Sequence, residues 1–260
     1  MGELLDQLER ASKGTVQALG FGATKRGKVA PMLLIGVIAP GDDAQAKLVS
    51  VATVDAVIVS GQGSTKTKVN KSVKAMKALA VGIWLDEASA GDIARSDFQV
   101  FSSYSTPIES LGGEKRTNVM QVSPDLEDGL LRTIDFLPVD AFLVSLAESE
   151  KLTVSQLMRL GRIRGMTSHW ILAHLAILPS KEELEQLRNA GVAAIVVDLA
   201  GRNADELEAC KAAILELPNE PSERNKHRNV ATLPSAGLNQ PSPSRRPEPE
   251  PDEDDDWDEE

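Results

Sequence analysis

The chain has 260 residues, of which 42% are hydrophobic and 26% are charged, a composition typical of a globular protein. Its net charge of −11 does not indicate a general nucleic-acid binder, which should be basic overall. No apolar run reaches the roughly 18 residues of a membrane span, and the N-terminus has no signal-like apolar region. The single cysteine excludes a disulfide within the chain, so we expect a cytoplasmic protein without a membrane segment.

Charge and composition change after Pro218. Residues 219–260 carry 12 acidic and 5 basic side chains and end in EPEPDEDDDWDEE, whereas the preceding 218 residues hold 27 acidic and 23 basic side chains. The last segment has too little apolar area to offset the entropy of ordering it. We therefore predict one folded domain over residues 1–218 and a disordered acidic tail over residues 219–260.

The first 31 residues do not fit a repeating pattern of strands and helices. Gly2 to Ala11 predicts a short helix with Leu4, Leu5 and Leu8 on one side, and Val16 to Phe21 is a brief apolar run. We expect residues 1–31 to be an N-terminal helix and strand extension that closes the bottom of the fold.

From Met32 onward, apolar runs alternate with helical patterns. Eight strands are predicted, at Met32–Ala39, Ala56–Ser60, Val81–Leu85, Phe98–Ser102, Asn118–Val122, Ala141–Leu146, His169–Leu178 and Val192–Val197. Most of them lack a polar face, and such strands must be covered on both sides, as in a parallel sheet flanked by helices.

The segments between the strands carry helix signals. Asp42 or Asp43 is expected to cap the first, and a short helix is expected near Ala88–Ala94. Capping boxes are predicted at Thr153 with Gln156 and at Ser180 with Glu183, Gly191 should end the helix that follows the second, and a last helix should span Asp205–Leu217. The apolar positions expected to face the core are Val69, Val73, Met76 and Ala80; Leu126, Leu130 and Ile134; Val154, Leu157 and Met158; Leu184 and Leu187; and Leu207, Cys210 and Ile214.

Eight strands, each followed by a helix or a short crossover, predict a (β/α)₈ TIM-type barrel. A doubly wound open sheet is the main alternative. The strand count favours the barrel, as does a faint repeat between VDAVIVS at Val54–Ser60 and VDAFLVS at Val139–Ser145. The repeat indicates either a duplicated half-barrel or only a common way of entering a buried strand.

In such barrels, active sites form at the carboxyl ends of the strands. The candidates there for acid–base chemistry or for a divalent metal are Asp86, Glu148, His174 and Asp198. The candidates for binding an anion are Ser64, Thr65, Lys66, Gly201 and Arg202. Each has a structural alternative: Asp86 could stabilise a helix start, His174 could be a core residue, and the loop around Lys66 could be merely solvated.

The passage from residue 168 to 201 resembles the last quarter of phosphate-binding TIM barrels, a group that includes ribulose-phosphate-type and tryptophan-pathway enzymes. The resemblance is carried by ELEQLRNAGVAAIVVD, which leads into strand eight. It implies a phosphorylated small-molecule ligand. The sequence departs from that pattern at two places. Glu182 and Glu183 follow strand seven, where such barrels have a glycine-rich turn that binds phosphate. After strand eight, LAGRN has only one glycine, beside Arg202.

Two hypotheses of function follow. The first is a barrel that binds a small anionic or phosphorylated metabolite, with lyase or isomerase chemistry as its reaction. The second is a non-catalytic scaffold or regulator whose acidic tail, with Trp257 as an aromatic anchor, binds a basic protein partner. No sequence motif identifies a substrate or a cofactor.

Overall fold

The eight predicted strands form a closed barrel in the computed structural model. The structure describes residues 2–13, 29–42, 45–46, 48–49, 54–61, 64–76, 79–85, 96–102, 106–111, 116–134, 136–147 and 151–218. Strands pair in chain order, every pair is parallel, and β1 closes the barrel against β8. The (β/α)₈ prediction is therefore confirmed, and the open-sheet alternative is wrong because an open sheet would leave β1 and β8 as unpaired edges.

The strand bounds agree with prediction to within a few residues. The strands are β1 (Leu33–Ile38), β2 (Ala56–Ser60), β3 (Ala80–Trp84), β4 (Phe98–Ser102), β5 (Thr117–Val122), β6 (Ala141–Ser145), β7 (Trp170–Leu175) and β8 (Val192–Asp198). The largest difference is in β7, which was predicted from His169 to Leu178. Residues 176–178 belong to the connection that follows β7.

Alternate residues of each strand fill two separate apolar clusters. One lies inside the barrel, and its strand residues include Ile35, Ile58, Phe98, Leu143 and Val196. The other lies between the outer face of the strands and the helices, and its members include Leu34, Val57 and Ile195. Both faces of the sheet are buried, which explains why the strands read as uninterrupted apolar runs.

Six α-helices and one 3₁₀ helix accompany the strands within the described residues. They are α1 (Glu3–Lys13), α2 (Lys66–Ala75), the 3₁₀ helix (Ile108–Ser110), α3 (Asp128–Ile134), α4 (Val154–Met166), α5 (Lys181–Asn189) and α6 (Ala204–Glu216). None of these helices is both long enough and apolar enough to cross a membrane.

The first helix closes the amino end of the barrel, as predicted. Leu4 and Leu8 of α1 are fully buried and belong to the interior cluster. Gly2 lies so close to the amino end of β5 that an added Cβ would be 2.2 Å from Thr117 Oγ1. The carboxyl end, where the connections to the helices leave, is therefore the end that could hold a ligand.

The predicted capping signals are confirmed. Thr153 with Gln156 and Ser180 with Glu183 both form complete capping boxes, and Gly191 takes a φ of 92° after α5. Asp42 caps the segment after β1, because its Oδ1 accepts a hydrogen bond of 3.1 Å from the backbone N–H of Gln45. Residues 45–46 and 48–49 are helical there.

Three predicted core positions are wrong, and a fourth, Ala80, is buried as predicted but in a different element. Leu130, Val154 and Met158 are exposed, at 46%, 74% and 71%, whereas the core contacts of these helices come from other positions, which include Leu131, Leu160 and Ile163. Ala80 is buried as the first residue of β3 and does not extend α2.

An aspartate precedes β2, β4 and β6, and each makes the same pair of hydrogen bonds to the neighbouring strand. Oδ2 of Asp55, Asp97 and Asp140 accepts a hydrogen bond from a backbone N–H at the start of the neighbouring odd-numbered strand, at 2.8, 2.9 and 2.7 Å. The backbone N–H of each aspartate donates to the carbonyl of the same neighbouring residue. Because Asp97 follows this pattern too, the aspartate is not confined to the two Val-Asp-Ala segments. It precedes three of the four even-numbered strands, whereas Gly191 precedes β8.

Some predictions concern residues outside the described ranges. They are the cap at Asp43, the apolar run Val16–Phe21, the helix near Ala88–Ala94 and the acidic tail at 219–260. The described residues all belong to one compact unit, Met1–Ser222.

Candidate functional site at the carboxyl end of the barrel

A ring of inward-facing residues ends the barrel at its carboxyl side. On each strand, the last residue in register with the buried interior positions belongs to this ring. We call this set the mouth ring: Val37, Ser60, Trp84, Ser102, Gln121, Ser145, His174 and Asp198. Below the ring, the interior positions are almost all apolar, so polar chemistry in the barrel is concentrated at its mouth.

Trp84 and His174 meet across the mouth ring. They come from β3 and β7, which lie on opposite sides of the eight-stranded barrel. Their ring centroids are 5.4 Å apart, and the ring planes cross at 73°. Trp84 is 8% exposed and belongs to the interior cluster of the barrel. The two rings form a floor, and a ligand at the mouth would lie above it.

His174 is kept neutral by its surroundings. Burial lowers the pKa of its imidazole, and the negative charge of Asp198 on the next strand partly opposes this shift. Its Nδ1 is buried and has no hydrogen-bond partner among the described residues. Near neutral pH the ring is therefore an uncharged imidazole that can accept or donate a proton.

Asp198 stands at the rim with its side chain exposed. Its Oδ1 accepts a hydrogen bond of 3.0 Å from the backbone N–H of Ala200, which fixes the start of the connection to α6. The carboxylate thus has a structural use, and it also acts electrostatically on His174. The structure brings together these two predicted residues.

The predicted anion loop leads from β2 into α2. Lys66 is the first residue of α2 and is exposed, and Thr65 occupies the N-cap position without a side-chain capping bond. The first turn of α2 holds no acidic residue. Ser64 is half-buried, and its backbone N–H donates to the carbonyl of Gly61 at 3.2 Å. The start of α2 therefore presents a positive field from both its lysine and its helix dipole.

Arg202 and Gly201 lie in the connection after β8. Gly201 has a φ of 71°, which glycine adopts without strain. Arg202 is half-buried, and its Nη2 donates to the carbonyl of Ala176 at 2.7 Å, which ties this connection to the one after β7. Arg202 also borders a surface groove of about 360 Å³ that runs along α6 outside the barrel.

Two predicted residues, Asp86 and Glu148, lie outside the described residues. Among the residues that are described, no three His, Cys, Asp or Glu side chains are grouped closely enough to hold a metal ion. Cys210 packs in the outer core as predicted, and burial raises the pKa of its thiol to about 11, so it is a poor nucleophile.

Sequence reasoning missed Trp84 and Ser145 of the mouth ring. Both are the last residue of their strand, and Ser145 pairs in register with His174. The signal that could have found them is position alone: the final inward residue of every strand. In strands that are apolar on both faces, the inward face cannot be read from the pattern, so Trp84 looks like an ordinary core residue.

Comparisons with known proteins agree with the architecture. No family model matches the sequence, and no curated protein is similar enough to it to count as a match. Among solved structures, the chain is similar to (S)-3-O-geranylgeranylglyceryl phosphate synthase from Thermoplasma acidophilum in complex with sn-glycerol-1-phosphate. Their TM-score is 0.61 at 15% identity, over 84% of this chain and all of the other.

Two more solved structures, both from Pyrococcus furiosus, are similar. Thiamine phosphate pyrophosphorylase has a TM-score of 0.54 at 12% identity, over 72% of this chain and 96% of the other. A mutant tryptophan synthase α-subunit has a TM-score of 0.52 at 13% identity, over 71% and 97%. Identity this low supports the fold alone, and the fold that these structures share with the chain is the (β/α)₈ barrel.

Proposed function

We propose that the protein binds a small anionic or phosphorylated metabolite at the carboxyl end of its barrel. The observation that carries this proposal is the pairing of a neutral, half-buried His174 with the exposed carboxylate of Asp198 above the floor made by Trp84. A titratable group whose pKa is shifted by burial and by a charged partner, at the end of the barrel where active sites form, is a candidate for function.

The anionic group of the ligand would be held at the start of α2. Lys66, the positive end of the helix dipole and the absence of an acidic side chain in the first turn all favour a negative charge. The strands β2 and β8 both flank β1, and neighbouring strands lie about 4.8 Å apart, so the carboxyl ends of β2, which leads into α2, and of β8 are roughly 10 Å apart. A small phosphorylated metabolite can span that distance.

The reacting part of the ligand would then face His174 and Asp198. Because Asp198 is negative, the phosphate is expected on the α2 side and the carbon skeleton on the β7–β8 side. A neutral imidazole next to a carboxylate suits proton transfer, the step that lyases and isomerases share. Gly201 and Arg202 would shape the wall of the site beside Asp198, with Arg202 holding the connections after β7 and β8 together.

A thermal-shift screen of the full chain tests this proposal. The panel contains phosphorylated metabolites, with sn-glycerol-1-phosphate among them, small carboxylic acids and divalent metal ions. A ligand at about 100 times its Kd adds roughly 2.7 kcal/mol of stability, which for a domain of this size raises Tm by about 5–11 °C. We expect at least one phosphorylated compound to produce such a shift.

Three variants locate the site of any ligand found. His174→Asn and Lys66→Ala should each reduce the shift strongly. Lys74→Ala is the matched control, because it removes a lysine from the other end of the same helix, roughly 12 Å away at 1.5 Å per residue. A ligand whose shift survives in both His174→Asn and Lys66→Ala binds elsewhere and would disprove the proposed site.

The alternative function rests on the sequence of residues 219–260, with 12 acidic side chains and Trp257. Binding of a basic protein partner by this tail must weaken as salt is added. It predicts that a chain shortened to residues 1–218 loses partners that the full chain captures at low salt. Identical partners for both chains would remove this alternative.

A further inference from the structure

The outward face of α4 is apolar although it faces solvent. Val154 and Met158 are 74% and 71% exposed, and Gly161 and Gly165 follow them on the same face. At 100° per residue, these four positions are centred opposite the buried side of the helix, where Leu160 lies. We call the four residues Val154, Met158, Gly161 and Gly165 the α4 stripe.

Nothing in the described part of the chain explains the α4 stripe. A Cβ added at Gly161 or Gly165 would meet no atom within 4 Å, so neither glycine is needed for packing in the barrel. Each glycine makes an exposed helix less stable than alanine would. In the described residues, five of the seven exposed large apolar side chains belong to α4, to the neighbouring α3 or to the turn after α3. Such a concentration is typical of a protein-binding surface.

Two of the three arginines next to the α4 stripe are paired with carboxylates, and the third, Arg164, is exposed and donates to the carbonyl of His169 at 3.5 Å. Arg159 Nε lies 3.2 Å from Asp125 Oδ1, and Arg162 Nη1 lies 3.2 Å from Asp128 Oδ1. The stripe itself has no charged residue, in a chain whose net charge is −11. The α4 stripe therefore offers no charge that would attract a strongly charged partner. Two copies of the chain can meet here without bringing like charges together.

The order of residues in the α4 stripe is self-complementary. If two α4 helices lie antiparallel with a two-fold axis between residues 159 and 160, Val154 faces Gly165 of the second copy and Met158 faces Gly161. Each large side chain thus meets a position without a side chain. This is the arrangement that an isologous contact requires, in which the same surface is used by both subunits. Glycine at these positions also allows the two helices to approach closely.

We propose that α4 is the contact helix of a homodimer, in which Met158 of each copy fills the space over Gly161 of the other. The contact lies on the outer face of a helix, so it leaves the mouth ring free. It is independent of what the barrel binds.

Sedimentation of the full chain over a range of concentrations tests this inference. We expect a dimer for the native sequence. Met158→Glu should raise the dimer dissociation constant by at least about tenfold, because it places two carboxylates in an apolar contact. Gly161→Leu should do the same by filling the space that Met158 needs, while its better helix propensity preserves the fold of each subunit. Circular dichroism checks that both variants remain folded.

Ile108→Glu is the matched control. Ile108 is 74% exposed, like Met158, but it lies in the 3₁₀ helix after β4. This variant should remain a dimer. A monomeric native chain would overturn the proposal. So would a dimer that persists in both α4 variants, or one that Ile108→Glu also dissociates.

Disulfide trapping tests the antiparallel arrangement. The Met158→Cys and Gly161→Cys variants are made separately and then mixed under mild oxidation. The native thiol, Cys210, is buried with its pKa raised to about 11, so it should not compete. Cross-linking should be faster in the mixture than in either variant alone. Equal rates in all three samples would contradict the pairing.

Discussion

Replacing Trp84 by alanine tests the floor of the barrel mouth through two independent measurements. Trp84 is 8% exposed and lies edge-on to His174 at 5.4 Å. Removing a buried tryptophan side chain costs about 3–5 kcal/mol of unfolding free energy. For a domain of this size, each kcal/mol lowers Tm by about 2–4 °C, so we expect a decrease of roughly 6–20 °C.

The same substitution should raise the pKa of His174. Burial is the main cause of its lowered pKa, and the charge of Asp198 acts in the opposite direction. Without the indole, water reaches the imidazole while Asp198 remains, so the pKa of His174 should rise. Proton NMR of the three histidines follows this titration, and His174→Asn identifies the resonance that belongs to His174.

Trp170→Ala is the control for this pair of measurements. Trp170 begins β7 and packs partly against the interior cluster, four residues or about 13 Å from His174 along the strand. It should reduce Tm without changing the pKa of His174. If Trp84→Ala left that pKa unchanged, or if Trp170→Ala raised it equally, the Trp84 indole would not be the group that excludes water from His174.

Three further changes test the account. Asp140→Ala should lower the free energy of unfolding, measured with denaturant, by about 1–3 kcal/mol, because the buried N–H of Asn118 loses its acceptor. Asp140→Asn should lower it less. Equal losses would contradict the role of this hydrogen bond at the start of the strands. Gly82→Ala should cost at least about 1–3 kcal/mol by calorimetry, since its Cβ would lie 2.1 Å from the buried Phe98 ring, and an unchanged Tm would refute this. Because its pKa is lowered in the folded state, neutral His174 contributes stability that is complete above its ordinary pKa of 6.5 and is lost as the pH falls toward its lowered pKa. Acid unfolding of His174→Gln should lack this pH-dependent loss of stability.

The fold could be predicted because its signals are local. Both capping boxes depend on residues three apart, and Gly191 ends α5 through its own backbone conformation. Which side of α4 packs against the barrel could not be predicted in this way. Gln156 is buried because its side chain completes the capping box and its Nε2 donates to the carbonyl of Leu146 at 3.3 Å, whereas a pattern of apolar residues places a glutamine outside. The predicted face was therefore rotated toward Val154 and Met158.

The candidate site was only partly predictable for a different reason. His174 and Asp198 stand out because they are polar residues at the ends of apolar strands. Trp84 does not, because it is apolar and β3 is buried on both faces, so only the closed barrel reveals that it meets His174 from the opposite side. Contacts between a strand and the fourth strand after it form only because the sheet closes into a barrel, and no local sequence pattern predicts that closure.

An NMR titration of the full chain with sn-glycerol-1-phosphate, the compound bound in one structural neighbour, and with inorganic phosphate tests the central claim most directly. His169 lies at the amino end of the barrel, one residue before β7, and serves as an internal control. We predict a saturable change in the His174 resonances, and in the Trp84 indole, with His169 unaffected. Changes that never saturate, or that affect His169 as much as His174, would contradict a small-anion site at the barrel mouth.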